Sequence, residues 1–407
     1  FYEHGHYIGH DEPSVRYISN APGSGADVTY VERLGKDPAQ LPTVSQPGND
    51  ITHFFELSVA PWFSMDLCDP NSSPLTNCTP VSDANAPTAT FPGGGDAFME
   101  LQFYPPGFAP FDDAISCDDT HWCSALNIDS LECNADGSVC NGDCTEPVNF
   151  AFIQHDGNPT GPPSPQDSDF ATFTPNSDTL LMNPGDTIVI HIFNARLRGG
   201  GHALEVIEDD VTNRTSGFMI ASATNGFMNT DPTTCDGTPF NFQPEYSSAA
   251  AGNIIPWGFG AYNINSEFEI GHFEPCTKVT GPQTFTDDAF TDTYWTNCKG
   301  PYEAGKDSKV DAALEPDDSP CYPFGDTHGG TTAPNLVTGC AVFFDAIGDL
   351  DYDGSSYRAD WPTSSSPGRF PGAIAQAQPT TGRDDTYPQI QFVTDLSATE
   401  FASNCNT

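Results

Sequence analysis

The stretch Ile188-Val-Ile-His-Ile-Phe-Asn-Ala-Arg-Leu-Arg-Gly-Gly-Gly-His-Ala-Leu-Glu-Val-Ile207 decides the fold. It holds two short apolar runs, 188–193 and 203–207, whose length and β-branched content are typical of strands. Three consecutive glycines at 199–201 mark a turn between them. An Asn-Pro-Gly turn at 183–185 precedes the first run, and a polar turn at 210–217 follows the second. The segment therefore predicts a meander of antiparallel strands.

The same pattern recurs along the chain, with turns between the runs. Glycine and proline each number 37, so turns and loops are frequent. We predict further strands at 53–59, 97–104, 148–153, 341–344 and 389–393. Together these features predict an all-β fold, an antiparallel β-sandwich of jelly-roll type that is rich in loops and has very little helix.

The domain organisation depends on a proline-rich segment, residues 157–177. This segment is either a linker between two sandwiches or a long surface loop in one. We predict a first β-sandwich region at 1–160 and a second at 178–407 that packs closely on the first. A single large domain over 1–407 is the alternative, because a chain of 407 residues can form either arrangement.

Charge and cysteine content predict the compartment. The chain has 56 acidic and 13 basic residues, a formal net charge of -43, and 13 cysteines. The paired C-x2-C knuckles of zinc ribbons are missing, which favours disulfide bonds and hence a secreted, extracellular protein. Such a surface repels DNA, RNA and anionic membranes and disfavours polyanionic substrates. No apolar stretch reaches the length of about 18 residues that spans a membrane.

Cysteine spacing indicates which residues pair. The predicted bridges are Cys68–Cys78, Cys117–Cys123, Cys133 with Cys140 or Cys144, Cys235–Cys276 and Cys340–Cys405. Because 13 is an odd number, at least one thiol is free or paired between chains. Three N-glycosylation sequons also occur, and their acceptors are Asn71, Asn77 and Asn213.

Five runs of sequence carry a resemblance. They are Gly9–Ser14, Met99–Gly107, Trp122–Ser130, Ser216–Gly226 and Glu269–Glu274. They resemble a group of uncharacterised secreted fungal and bacterial proteins, and the resemblance spans most of the chain. It implies an extracellular location and one extended fold unit, and it transfers no catalytic residue.

Carboxylates on two predicted strands form the candidate site. In the strand at 97–104, Glu100, Gln102 and Tyr104 share the face opposite the apolar side chains, as in a sugar-binding cleft. Around 267–271, Glu269 also faces away from apolar neighbours. We predict Glu100 and Glu269 as the catalytic acid and its nucleophile or base. The predicted substrate-binding residues are Gln102, Tyr104, Asp129, His272, Trp122 and Trp257. Ordinary solvent-facing positions on half-exposed strands are the alternative interpretation.

Two segments have the composition of metal sites. The run 349–354 followed by Asp360 matches a calcium loop, with oxygen ligands at alternate positions and a glycine at the sharp turn. The predicted calcium ligands are Asp349, Asp351, Asp353 and Asp360. The N-terminal histidines at 4, 6 and 10 could hold zinc or copper. An acidic surface turn and a solvated N-terminal arm are the respective alternatives.

These observations favour a secreted carbohydrate-active enzyme, a glycoside hydrolase that acts on a neutral glycan or other small substrate. A non-catalytic extracellular glycan-binding or cell-surface protein is the first alternative, and a metal-dependent enzyme that uses the N-terminal histidines is the second. The sequence has no G-x-S-x-G elbow and no H-E-x-x-H motif, which argues against an α/β-hydrolase and a zinc protease. The distance between carboxyl groups in one cleft distinguishes hydrolysis from simple binding.

Overall fold

The structure is a computed structural model of the chain. It describes residues 2–3, 6–7, 14–19, 25–35, 60–68, 97–104, 106, 117–118, 120–130, 148–230, 234–244, 264–269, 273–275, 278–286, 291–295, 297–299, 321–326, 338–341, 378–379 and 387–393. Regular structure in these ranges is β-strand, apart from one 3₁₀ turn at Ala223–Asn225. The all-β prediction is therefore confirmed.

The strands follow one another along the chain. The first eight are β1 (Tyr2–Glu3), β2 (His6–Tyr7), β3 (Ser14–Ile18), β4 (Asp27–Arg33), β5 (Ala60–Cys68), β6 (Ala97–Tyr104), β7 (Cys123–Ser130) and β8 (Asn149–Phe152). The next six are β9 (Thr187–Arg196), β10 (His202–Asp210), β11 (Thr215–Ile220), β12 (Met228–Thr230), β13 (Gly237–Pro239) and β14 (Gln243–Pro244). The remaining strands are β15 (Ile264–Glu269), β16 (Phe273–Pro275), β17 (Lys278–Thr280), β18 (Gln283–Thr286), β19 (Thr291–Tyr294), β20 (Asn297–Lys299), β21 (Cys321–Tyr322), β22 (Gly339–Ala341), β23 (Gln378–Pro379) and β24 (Gln389–Val393).

Two large antiparallel sheets dominate the architecture. The eight-stranded sheet has the order β24-β3-β15-β5-β6-β7-β8, and β14 also pairs with β5. The five-stranded sheet has the order β11-β10-β9-β4-β23. Smaller sheets of two or three strands complete the described structure. The strands β9, β10 and β11 pair in sequence order, so the predicted meander is confirmed.

The two large sheets pack face to face over one apolar core. The ring of Tyr30 on β4 lies 4.5 Å from that of Phe63 on β5, which joins the two sheets directly. The shared cluster includes Val28, Ile190, Ile192 and Val206 of the five-stranded sheet and Met65, Leu67, Met99, Leu101 and Ile128 of the eight-stranded sheet. Burial of each such side chain stabilises the fold by about 1.5–3 kcal/mol. Because every second residue points into this core, the residues between them are directed to the outer faces.

A tight turn starts the meander. The backbone N–H of Asp186 donates to the carbonyl of Asn183 at 3.0 Å, and Gly185 has a φ of 91°. Pro184 fits the second position of such a turn and glycine the third, where a side chain would be strained. The turn places Ile188 at the start of a buried row on β9.

Both large sheets combine strands from either side of the proline-rich segment. β4 pairs with β9, and β5 pairs with β15. The segment itself packs on β8: the N–H of Phe150 donates to the carbonyl of Pro163 at 2.9 Å, and the rings of Phe150 and Phe173 are 4.9 Å apart. The division into regions 1–160 and 178–407 stays a prediction, as does the single-domain alternative.

Candidate functional site

The outer face of β6 carries the polar residues predicted from the sequence. Met99, Leu101 and Phe103 are buried in the core, so Glu100, Gln102 and Tyr104 lie on the opposite side of the strand and are half-buried. Their neighbours on this face come from β5 and β7, because directly paired residues share a face. The face therefore brings together residues from three adjacent strands.

Hydrogen bonds hold this polar group in one arrangement. Nε2 of Gln102 donates to Oε2 of Glu100 at 2.8 Å, and the hydroxyl of Tyr104 donates to Oε1 of Gln102 at 2.6 Å. Nδ2 of Asn127 on β7 donates to the same Oε1 at 2.8 Å and lies 3.3 Å from the Tyr104 hydroxyl. Asn127 is 5% exposed, so it anchors the buried side of the group. We call Glu100, Gln102, Tyr104 and Asn127 the polar network.

An indole lies beside the polar network on the next strand. Trp62 of β5 is paired with Gln102, and Ser64 is paired with Glu100. Trp62 is half-buried, whereas Ser64 is buried. The position of Trp62 opposite Gln102 depends on the register of two separate strands, which the sequence alone does not reveal. A ring and a row of hydrogen-bonding groups thus occupy neighbouring strands of one face.

One end of this face is apolar and covered. Ala125 on β7 and Phe150 and Phe152 on β8 form a second buried cluster, against which Phe173 and Leu181 pack. Both of these last residues follow β8 in the chain and fold back over the outer face. Tyr104 packs at the edge of the cluster and also belongs to the polar network. The covering segment therefore forms a wall along the β7 side of the polar network.

The register fixes the spacing of the carboxylates on this face. Glu269 is two strands and four residues away from Glu100, since Glu100 pairs with Ser64 and Ser64 with Asn265. This places their Cα atoms roughly 16 Å apart. Asp129 is closer, because it follows Asn127, the partner of Glu100, by two residues. The Cα atoms of such diagonal neighbours are about 7–8 Å apart.

Trp122 was predicted to bind substrate, and this prediction is wrong. Its side chain is 0% exposed and belongs to the central core. The indole N–H donates to the carbonyl of Gly35 at 3.2 Å, so its polar atom is satisfied inside the protein. The physical reason is that Trp122 is separated from Leu126 and Ile128 by an even number of positions. Residues at such spacing in an extended chain lie on the same face, and these two point into the core from β7.

Disulfide predictions have mixed outcomes. Cys117 and Cys123 are bridged, with Cα atoms 5.7 Å apart, so this predicted pair is confirmed. Cys235 is a free, half-buried thiol, which corrects the predicted bridge to Cys276. It lies in a turn with a φ of 63°, where its carbonyl accepts a hydrogen bond from Nε2 of Gln166. The turn at Cys235 is therefore held by a side-chain hydrogen bond and not by a bridge.

Several predicted residues lie outside the described residues. They are Trp257, His272, Asn71, Asn77, Asp349, Asp351, Asp353, Asp360, Cys78, Cys133, Cys140, Cys144, Cys276 and Cys405. The calcium loop, the bridges Cys68–Cys78, Cys133 with Cys140 or Cys144, and Cys340–Cys405, and glycosylation at Asn71 and Asn77 therefore stay predictions. Of the N-terminal histidines, only His6 falls within the described ranges, on β2.

The third sequon lies in a structured turn. Nδ2 of Asn213 donates to Oδ2 of Asp210 at 2.9 Å and also to Oδ2 of Asp186. Burial raises the pKa of Asp186, and the nearby Asp210 carboxylate raises it further, against the lowering effect of hydrogen bonds from Asn183. The Asn213 amide therefore stabilises two neighbouring carboxyl groups. Its glycosylation stays a prediction.

Two glutamates are buried in the core, and the sequence did not predict their burial. Glu208 on β10 is 0% exposed, and Oγ of Ser124 on β7 donates to its carboxyl at 2.8 Å, across the core. Glu32 on β4 is 1% exposed, and its Oε2 has no hydrogen-bond partner among the described residues. Burial raises the pKa of each carboxyl to about 8. Both groups are therefore protonated in the folded protein at neutral pH.

The outer face of the five-stranded sheet carries a histidine–carboxylate contact. Nε2 of His191 lies 2.8 Å from Oδ1 of Asp27, and the imidazole stacks on Phe193 with centroids 4.1 Å apart. The contact joins β4 and β9 on their outer side.

The described residues form neither a metal cluster nor a membrane-spanning helix. Within the ranges given above, no group of three or more His, Cys, Asp or Glu residues is placed to hold a metal ion. No helix in this part of the chain is long and apolar enough to cross a membrane. No family model, curated protein or solved structure matches the chain.

Proposed function

We propose that the outer face of β5 and β6 binds a neutral glycan. The observation that carries this proposal is the polar network with Trp62 directly opposite Gln102. Amides and hydroxyls both donate and accept hydrogen bonds, as sugar hydroxyls require. An indole ring offers an apolar surface on which a sugar ring can stack. Binding sites for small molecules combine these features, an apolar surface with a few fixed polar groups.

The chemistry of the face favours an uncharged ligand. The chain has a formal net charge of -43, which repels polyanions over a long range. Three of the four residues in the polar network carry no charge. The fixed hydrogen bonds between them reduce the conformational entropy that would be lost when a ligand binds. These points support a neutral glycan over a polyuronate.

Hydrolysis at this face is the second candidate function, and the position of Asp129 favours it. Glu100 and Asp129 are diagonal neighbours on adjacent strands. The Cα atoms of such neighbours are about 7–8 Å apart, a backbone spacing that allows two carboxyl groups to reach the roughly 6.5–9.5 Å separation of inverting glycosidases. The Cα atoms of Glu100 and Glu269 are roughly 16 Å apart, about twice the spacing of Glu100 and Asp129. Asp129 is therefore the better partner for Glu100 in this second proposal.

A secreted, extracellular location is part of the same proposal. The Cys117–Cys123 bridge supports it, because disulfides persist in oxidising compartments. Glycosylation at Asn71, Asn77 and Asn213 and calcium binding at the Asp349–Asp360 loop are proposed on the sequence patterns alone.

Calorimetry with a panel of neutral oligosaccharides tests the binding proposal. At least one oligosaccharide should bind, and Trp62→Ala should weaken that binding by tenfold or more without a large change in melting temperature. Phe324→Ala is the matched control, because Phe324 is 71% exposed and lies outside the eight-stranded sheet. Absence of binding to the whole panel, or an equal loss in both variants, would refute the proposal.

Release of reducing ends from the bound glycan tests hydrolysis. Glu100→Gln and Asp129→Asn should each lower the rate by orders of magnitude, whereas Glu269→Gln should leave it unchanged. The opposite result, with Glu269 essential and Asp129 dispensable, would establish Glu100 and Glu269 as the pair. Binding without any release of reducing ends would leave the glycan-binding function alone.

A further inference from the structure

We infer that Cys321 and Cys340 form a disulfide bond across two neighbouring strands. Cys321 of β21 and Cys340 of β22 are directly opposite partners in an antiparallel pair. Tyr322 pairs with Gly339 at the next position, so the register is set at two successive positions. No other two cysteines among the described residues are strand partners.

The backbone spacing of this pair suits a disulfide. Directly opposite residues in an antiparallel ladder have Cα atoms about 4.5–5.5 Å apart and share one face of the sheet. Disulfides span Cα distances of about 4.4–6.8 Å. The Cys117–Cys123 bridge of this chain spans 5.7 Å, close to the same spacing. The register therefore needs no backbone movement to bring the two residues within bridging distance.

The other cysteines are consistent with this assignment. Cys235 is a free thiol, which accounts for the odd member among the 13 cysteines. The remaining twelve can then pair completely. Cys340 was predicted to pair with Cys405, whereas the register gives it a partner in the adjacent strand. The bond would tie β21 to β22, which also pairs with β16 on its other side.

The chemistry of formation is a two-electron oxidation. A thiolate of one cysteine attacks a low-molecular-weight or protein disulfide and forms a mixed disulfide, which releases one thiol of the donor. The second cysteine then attacks the mixed disulfide, forms the Cys321–Cys340 bond and releases the other thiol. The two protein thiols are oxidised, and the donor disulfide is reduced by two electrons and takes up the two protons.

Peptide mapping without reduction tests the inference. The segment between the two cysteines has no lysine or arginine, so trypsin does not separate them, but cleavage before aspartate does. It yields the peptides 318–325 and 326–344, each with one cysteine, and the peptide 395–407 with Cys405. Mass spectrometry of the digest should find 318–325 linked to 326–344. A link between 326–344 and 395–407, or alkylated free thiols in the first two peptides, would overturn the inference.

A thiol count provides an independent measurement. In the unreduced, denatured protein, Cys321→Ser should expose one additional reactive thiol, that of Cys340. Cys235→Ser is the matched control and should remove one reactive thiol. An unchanged count in Cys321→Ser would show that Cys340 has another partner, and the inference would fail.

Discussion

Replacement of Glu208 by glutamine is expected to remove a large pH dependence from the stability of this protein. Burial raises the pKa of Glu208 from 4.5 to about 8 in the folded state. This shift corresponds to about 5 kcal/mol of free energy of unfolding. The pKa of Glu208 is higher in the folded state than in the unfolded chain. Between the two values, the folded state therefore holds a proton on Glu208 that the unfolded chain has released. The stabilisation is complete below about pH 4.5 and is lost as the pH rises to about 8.

Glutamine is neutral at every pH, so it separates this effect from packing. Its carbonyl oxygen still accepts the hydrogen bond from Ser124, but its second N–H adds a buried donor that costs about 1–3 kcal/mol if unpaired. Near pH 4, Glu208→Gln is therefore expected to be destabilising by that amount. Near pH 8 the gain of about 5 kcal/mol outweighs this cost, so the variant is expected to be more stable than the parent chain.

Urea unfolding at pH 4, 6 and 8 measures the difference. Asp209→Asn is the matched control, because Asp209 is the next residue on β10 and is exposed. It removes the same formal charge from the surface and should change stability by less than about 1 kcal/mol at each pH. The reasoning is refuted if the difference between Glu208→Gln and the parent chain is the same at pH 4 and pH 8.

Three further outcomes are expected. The melting temperature of the parent chain should fall from pH 4 to pH 8, because the proton that the folded state holds on Glu32 and on Glu208 stabilises it less as the pH rises. A steady rise in melting temperature would contradict this. Replacement of Cys117 and Cys123 by alanine should lower the free energy of unfolding by about 2 kcal/mol in urea titrations, since the bridge closes a short loop, and an unchanged midpoint would count against it. Excess chelator should lower the melting temperature if the loop at 349–360 binds calcium, and an identical melt would remove that proposal.

Strand alternation made much of the fold predictable. The strands at 97–104 and 389–393 coincide with β6 and β24, because the first alternates apolar and polar residues from Met99 to Phe103 and the second is bounded by turn residues. β5 was missed, although Phe63, Met65 and Leu67 alternate inside it. Pro61 near its start and the polar positions between the apolar ones obscured the pattern, and only pairing with β6 and β15 makes the strand evident.

The candidate site was only partly predictable, because alternation gives the face of a residue but not its neighbours on other strands. Glu100, Gln102 and Tyr104 were grouped correctly, since they belong to one strand. Asn127 and Trp62 join them through the register of separate strands, which a single sequence does not reveal. The distance between Glu100 and any second carboxylate depends on that same register.

The buried acids show how local composition misleads. Residues 208–210, Glu-Asp-Asp, resemble the start of a polar turn, yet β10 continues through them. Leu204 and Val206 point into the core, and Glu208 follows at the same spacing of two residues. Its side chain therefore points into the core as well. Burial favours the neutral form of its carboxyl group, and the hydrogen bond donated by Ser124 opposes this only in part. The alternation of side chains along the strand was therefore a better guide to burial than the charge of the residue.

The interior and the surface of this protein respond to pH in the same direction. Two buried carboxyls favour folding when protonated, and a surface with a formal net charge of -43 repels itself less as its carboxylates take up protons. Carboxylates held by hydrogen bonds oppose this trend; the pKa of Asp118, for example, is lowered by donors from Thr120 and His121 in spite of partial burial. The chain has only 13 lysines and arginines, so few ion pairs are available to hold further carboxylates in their charged form. Acidic solution is therefore the condition in which the polar network and its wall are most stably formed, and glycan binding should be measured there first.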